Sequence, residues 1–297
     1  MDKMYFDLYS EIEKKSPSGA REYFRDLAIS GLALMDKLKG VDSYLKKPRV
    51  QFIYIHHVFK DEEVQLHTLL KELQKMHTFI SYSEAVDRVL TNRIDKPYIA
   101  ISSDDGFKNN LRTAEILNEY DAKACFFVNP SIVGETDYGR IEQYCKTQLQ
   151  FPPVEFLNWK DIDTLQKYGH EIGSHTMNHM NIARASASEI KEDMTLSYET
   201  LTDKCGAVKH FAFPFGRFFH FSEEGRKACF EAGFLSCATA ERGCHVSSEK
   251  RPATDELCIL RDHVLLNWKI DHIFYFLVRS SKSAQPQNNF FPYQRSN

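Results

Sequence analysis

The chain has 297 residues, of which 42% are hydrophobic and 27% charged, and a formal net charge of −3. That length can bury one α/β barrel or two smaller domains, and the composition is that of an ordinary globular protein. The small net charge, with no long Lys/Arg run, excludes nucleic acid as an expected partner. Cys125, Cys145, Cys205, Cys229, Cys237, Cys244 and Cys258 are odd in number, scattered and free of any C-x-x-C pair. They read as free thiols, several of them buried, rather than a disulfide framework or a cysteine metal site. The start M-D-K-M-Y-F lacks a basic segment followed by an apolar core, and no run approaches the length of a membrane span. These features point to a cytoplasmic protein with no transmembrane segment.

Residues 1–47 read as an N-terminal helical extension in two pieces, broken at Ser16-Pro17-Ser18-Gly19. The second piece, 20–39, carries Tyr23, Leu27, Leu32 and Met35 and stops at Gly40, so it is expected to pack as a cover on the main domain. The main domain, 48–280, alternates strands and helices. A strand at 50–56 precedes a helix at 63–76 with Val64, Leu66, Leu69, Leu70 and Leu73 on its apolar side. A short strand at 78–80, a helix from Ser83 to Leu90, a strand at 98–101, a helix at 109–118 and a strand at 124–128 follow. Residues 134–156 break the rhythm with aromatics, charges and Pro152-Pro153, and read as an insertion or lid. The alternation resumes with helices at 159–168, 188–202, 223–232 and 268–278 and strands at 171–174, 210–213, 235–238 and 257–260. The polar tail 281–297 is expected to be disordered.

About seven strand–helix units imply a parallel sheet covered by helices, either closed as a barrel or left open. No Gly-rich phosphate loop follows an early strand. In such barrels chemistry collects at the C-terminal ends of strands. Those ends carry His56-His57, Asp104-Asp105-Gly106, Ser174-His175 with His179, Pro214-Phe215-Gly216, and Arg261-Asp262-His263. An Asp-Gly pair alone is an ordinary turn. At a strand end, however, adjacent side chains point to opposite sides, so one carboxylate can bind a cation while the other remains a base. His175 and His179, at i and i+4, would lie on one helical face and suit a divalent ion. With a carboxylate from another strand end, the set leaves positions open for water and substrate, and zinc or another first-row divalent ion suits it.

The order D-D-G, H-T-x-x-H and F-A-F-P-F-G, spread over roughly residues 49–265, resembles the polysaccharide deacetylase family. That family is also called carbohydrate esterase family 4 or the NodB-homology domain, and the likeness is to its F-A-Y-P-F-G branch. The resemblance implies an irregular (β/α)7-type barrel and a divalent metal, zinc above cobalt, nickel, manganese or iron. It implies removal of acetyl from an N-acetylated sugar, which could be a polysaccharide or a nucleotide- or lipid-linked precursor. Asp105, His175 and His179 would hold the metal, and Asp104 would be the base. The Phe215 backbone N–H, in a turn with Pro214 and Gly216, would face the oxyanion. Ser102-Ser103 replaces the usual T-F ahead of the acids. Ala212 stands where many members carry the arginine that pairs with the base, so another cation must steady Asp104, and Arg261 is the candidate. For the general acid, His56 of I-H-H-V, which resembles the branch's Y-H-x-V segment, is favoured over His263 of L-R-D-H. Two alternatives stand beside this reading. One is a carbohydrate-binding protein of the same fold without turnover, and the other a deformylase or non-sugar amide hydrolase.

Overall fold

Seven consecutive residues, Arg49–Ile55, form a strand in which every position is buried. Such a run is typical of parallel strands, which are covered on both faces. The computed structural model describes residues 5–15 and 19–292. In chain order the elements are α1 (Tyr9–Lys15), α2 (Ala20–Leu38), β1 (Arg49–Ile55), α3 (Glu63–Leu73), β2 (Thr78–Phe79), α4 (Tyr82–Leu90), β3 (Pro97–Ser103), α5 (Asn110–Asn118) and β4 (Ala124–Val128). They continue with α6 (Tyr138–Tyr144), α7 (Trp159–Lys167), β5 (Glu171–Ser174), α8 (Ala187–Cys205), β6 (His210–Ala212), α9 (Glu223–Ala232), β7 (Ser236–Ala238), β8 (Cys258–Ile259), β9 (Arg261–His263) and α10 (Ile270–Lys282).

The strands run parallel in the order β8-β7-β6-β5-β4-β3-β1-β9, with β2 a side branch on β3. β8 and β9 are one stretch of chain split at Leu260. β8 pairs with β7 while β9 pairs with β1, which nearly closes the sheet into a barrel. Arg261-Asp262-His263 therefore does not lie beyond a strand end, as the sequence suggests, but forms the closing strand, in register with Phe52, Ile53 and Tyr54. The chain must step across the gap between the last strand and the first, and Leu260 is where it does so. Alternation along β9 turns Arg261 and His263 into the barrel cavity. Asp262 points the other way and accepts hydrogen bonds from Gln51 Nε2 and Ser280 Oγ, both at 2.7 Å. Those bonds fasten the seam to β1 and α10.

Around the barrel, Leu66, Leu69, Leu70 and Leu73 of α3 are buried, whereas Val64, expected on that side, is exposed. Residues 134–156 are built into the domain. α6 and the π-turn Cys145–Leu149 share an apolar cluster with Phe6, Phe59, Phe107 and Phe156. Leu157 N–H donates to Gly106 O at 2.9 Å and Lys108 N–H to Glu155 O at 2.8 Å, tying the insertion to the loop after β3.

Two expectations at the chain ends need correction. α2 does not use Tyr23, Leu27, Leu32 and Met35 for packing, since all four are exposed. It docks through its opposite side, with Ile29 buried, Ser30 Oγ bonded to His272 Nε2 at 2.8 Å, and Asp26 paired with Lys269 at 2.7 Å. The tail from Ser281 is not disordered as far as residue 292. Ser281 and Lys282 finish α10, Pro286–Asn289 form a 3-10 turn, and Asn289 and Phe291 are buried. A phenylalanine pair in an otherwise polar segment supplies the anchor. The proposed break at Ser16-Pro17-Ser18, residues 1–4 and residues 293–297 lie outside the described residues. All seven cysteines are free. Among the described residues, no helix is long and apolar enough to cross a membrane.

Candidate active site

β3 delivers the two acids. Ser103 Oγ donates to His56 O at 2.9 Å and Asn110 Oδ1 at 3.0 Å, and Asp104 N–H donates to Ile55 O at 3.0 Å. The chain then turns sharply, with φ of 74° at Asp105 and 71° at Gly106. A non-glycine residue in that region costs roughly 1–3 kcal/mol and persists only where its surroundings hold it. Thr176, His179 and Phe215, in the facing loops, share this left-handed backbone.

Asp105 Oδ1 lies 3.5 Å from His175 Nε2 and 3.5 Å from His179 Nε2. It is buried without a hydrogen-bond partner. His175 Nδ1–H donates to Ala212 O at 2.7 Å, which leaves the Nε2 lone pair facing the carboxylate. Burial lowers the pKa of both imidazoles, for His179 well below the usual value, so the neutral ligand form is the resting one. One ligand atom from each of the three residues lies within 4.8 Å of the others. Three buried groups converging on one point, two imidazoles and a carboxylate, are the donor set of a divalent cation, and the residues fit such an ion. Burial and the neighbouring Asp104 together push the Asp105 carboxyl well above its ordinary range, the repulsion such an ion relieves.

The histidines do not sit on a helix, contrary to expectation. His175 to His179 form an irregular loop. Two residues unseen in the sequence reading hold it. Asn129 Nδ2 donates to His175 O and to Thr176 O. Asp193 Oδ1 accepts from Met177 N–H at 3.0 Å, and its burial raises its pKa to about 6. Asn129 directly follows β4 and could have been found by the strand-end rule that found the others. Asp193, inside α8, carries no such signal.

Arg261 meets Asp104 in a two-pronged pair, Nη1 to Oδ1 at 2.8 Å and Nη2 to Oδ2 at 2.9 Å. The guanidinium also donates to Ser102 Oγ and Thr239 O, and lies 4.4 Å from the Tyr54 ring centre. Burial alone would raise the Asp104 carboxyl, but Arg261, helped by His175 and His56, outweighs it and holds the group down at about 2. Asp104 is therefore ionised at neutral pH.

Phe215 and Gly216 form a turn with φ of 62° and 65°. A Cβ on Gly216 would lie 2.2 Å from the Ala240 Cβ, and the Gly216 carbonyl accepts from Ala240 N–H at 2.7 Å. Gly216→Ala should thus lower stability by at least about 2 kcal/mol, seen as a drop in Tm of roughly 4–8 °C. The Phe215 N–H has no partner among the described residues. Its ring, 39% exposed, sits edge-on to His179 with centroids 4.9 Å apart, so the side chain also shields a candidate ligand. Pro214 is buried behind the turn and does not reach the cavity.

His56 and His263 both face that cavity, with ring centroids 5.0 Å apart. Burial lowers His56 to about 4 and His263 to about 2. His263 is stacked on Tyr54 at 4.6 Å and His56 sits edge-on to the same ring; both feel Asp104, and His56 also feels His175. His57 turns away to Glu62, with Nδ1 3.3 Å from Oε2. The cavity measures about 360 Å³, and Phe107, Leu149, Phe151, Phe213 and Leu265 complete its walls.

Comparison with known proteins adds the family. Residues 91–234 match the family model described as polysaccharide deacetylase. No curated protein matches. Among solved structures, the chain resembles IcaB from Ammonifex degensii, with a TM-score of 0.61 and 16% identity over 80% of this chain and 99% of that one. It resembles the Streptococcus pyogenes deacetylase PplD in complex with acetate, with a TM-score of 0.59 and 18% identity over 80% and 98%. It also resembles the BpsB deacetylase domain from Bordetella bronchiseptica, with a TM-score of 0.59 and 16% identity over 73% and 98%. At these identities the structural likeness concerns the fold, a nearly closed barrel of parallel strands. The family match lies inside that barrel, so residues 91–234 of this chain are similar to the polysaccharide deacetylase family.

Proposed function

We propose that this protein is a metal-dependent hydrolase that removes acetyl from the nitrogen of an N-acetylated sugar. One observation carries the reading: a buried, unpartnered Asp105 oxygen faces two imidazole Nε2 atoms in a cavity that also holds the Arg261-paired Asp104. Asp105, His175 and His179 would hold the cation, with zinc the first choice for a set of two nitrogens and one oxygen. When bound, a divalent cation supplies Lewis acidity toward the amide carbonyl and toward water.

The chain's own residues do the rest. Asp104 accepts the proton of the attacking water. Each of its oxygens is engaged once by Arg261 and keeps a lone pair for that task. A carboxylate held at about 2 is a weak base, and a cation held by Asp105, His175 and His179 would supply the acidity that lets it work. The Phe215 N–H donates to the developing oxyanion. His56, kept neutral by burial and close to Asp104, relays to the leaving nitrogen the proton that Asp104 takes from the water, while His263 is stacked on Tyr54. The cavity has no lysine, and its one arginine is already paired, so a neutral amide suits it better than a phosphate. Its aromatic walls suit the apolar face of a sugar ring, and its volume is at the low end of the ~300–1,000 Å³ usual for small-ligand sites.

A binding-only role rests on the missing arginine at Ala212 and on the lone-standing general acid, and the Arg261–Asp104 pair speaks against the first of these. The test is Asp105→Ala, assayed for bound metal by mass spectrometry and for acetate release from N-acetylglucosamine oligomers. Loss of metal with loss of acetate is the expected result. A variant with full metal and full rate would overturn the assignment, and release of formate alone from a panel of acyl substrates would redirect it to deformylation.

A further inference from the structure

The outer face of α2 is apolar from Tyr23 to Leu38. Tyr23, Phe24, Leu27, Leu34, Met35 and Leu38 are between 49% and 79% exposed. Their spacing of three, four and seven residues places them in one stripe. The helix is not loosely docked with this face outward by default. Its inner side is pinned to α10 by buried Ile29, by Ser30 on His272 and by Asp26, which pairs with both Lys269 and His272. A helix that buries its polar side and exposes its apolar side has a second environment to satisfy.

Charge decides which environment. At 3.6 residues per turn, Lys37 and Lys39 fall on the two margins of the apolar stripe, and both are exposed with no ion pair among the described residues. The acids Asp26 and Asp36 lie on the inner side, beside α10. Apolar stripe, basic margins and inward acids are the layout of a helix lying in an anionic lipid interface. Six of its nineteen residues are charged, so it lies on a bilayer rather than crossing it. A second copy of the chain fits less well. A stable dimer needs about 800 Å² per partner, while one face of a helix ~28 Å long and ~10 Å wide offers roughly 300 Å².

We propose that α2 is a membrane-surface anchor that seats this protein on anionic lipid through Tyr23, Phe24, Leu27, Leu34, Met35 and Leu38, with Lys37 and Lys39 at the headgroups. The proposal stands apart from the reading of the cavity, because none of these residues lines it.

The experiment is sedimentation of the full chain with vesicles of phosphatidylcholine alone or with one-third phosphatidylglycerol. Size-exclusion chromatography with light scattering is run on the same samples. Binding to the anionic vesicles should exceed binding to the neutral ones by tenfold or more, and weaken as salt rises. Leu27→Glu with Leu34→Glu should abolish it. Lys37→Glu with Lys39→Glu should reduce it by at least tenfold, given roughly fivefold for each cation removed. These substitutions are on the solvent side, so circular dichroism and acetate release without lipid should match the parent. Failure of the parent to bind anionic vesicles overturns the proposal. So does a dimer that Leu27→Glu with Leu34→Glu dissolves while vesicle binding is absent, which would give the face to a second copy.

Discussion

An Asp104→Asn variant should keep its bound metal and lose acetate release by roughly 10²–10⁴-fold. The substitution is nearly isosteric and leaves the Asp105, His175 and His179 donor set untouched. An asparagine oxygen can still accept one Arg261 N–H, but it cannot take a proton from water. Metal content and circular dichroism separate loss of the base from loss of the site. If the variant turned over at the parent rate with metal in place, the base would have to be sought elsewhere, with His263 and His56 the nearest candidates.

Arg261→Met should produce the largest loss of stability of any single change considered. It leaves a buried carboxylate without its counter-ion, and breaking a buried pair costs about 3–5 kcal/mol. The pH dependence gives the signature. In the parent, Asp104 is held at about 2 against an ordinary 3.8. Its contribution is therefore complete above 3.8 and is lost as pH falls toward 2. Without Arg261, burial dominates and the folded-state pKa rises above 3.8, so the native state holds a proton that the unfolded chain has released. The cost then grows as pH rises through 3.8. Urea unfolding of parent and variant at pH 7 and pH 4 should show a gap that narrows in acid. A gap independent of pH would mean that Arg261 acts by packing against Tyr54 and Phe127 instead.

Much of the site was legible because its parts sit in short motifs at strand ends. Asp104-Asp105-Gly106, His175 with His179, and Phe215-Gly216 could each be read locally, and the strand-end rule brought them into one place. Arg261 was reachable only by asking what could replace the absent partner at Ala212, and both Arg261 and His56 lie outside the matched segment 91–234. What the sequence hid was tertiary. His175 to His179 has helical spacing, yet Asn129 and Asp193 take up its backbone groups and hold it as a loop. Residues 261–263 look like the end of a strand because the break at Leu260 leaves no mark on the hydrophobic pattern. For α2 the periodicity located the apolar face correctly but could not say which side meets the protein. Ion pairs from Asp26 and the bond from Ser30 decided that, and they depend on α10, more than two hundred residues away.

The split at Leu260 also sets the order in which a working protein can come into being. Asp104 leaves the ribosome 157 residues before the arginine that steadies it. Until β9 has been synthesised and has zipped onto β1, the barrel is open at one side and Asp104 has no counter-ion. Closure of the barrel and assembly of the reaction centre are then one event. A nascent or truncated chain ending before residue 261 would carry Asp105, His175 and His179 and still leave Asp104 without its arginine. The last strand thus completes the barrel and the buried Asp104–Arg261 pair together.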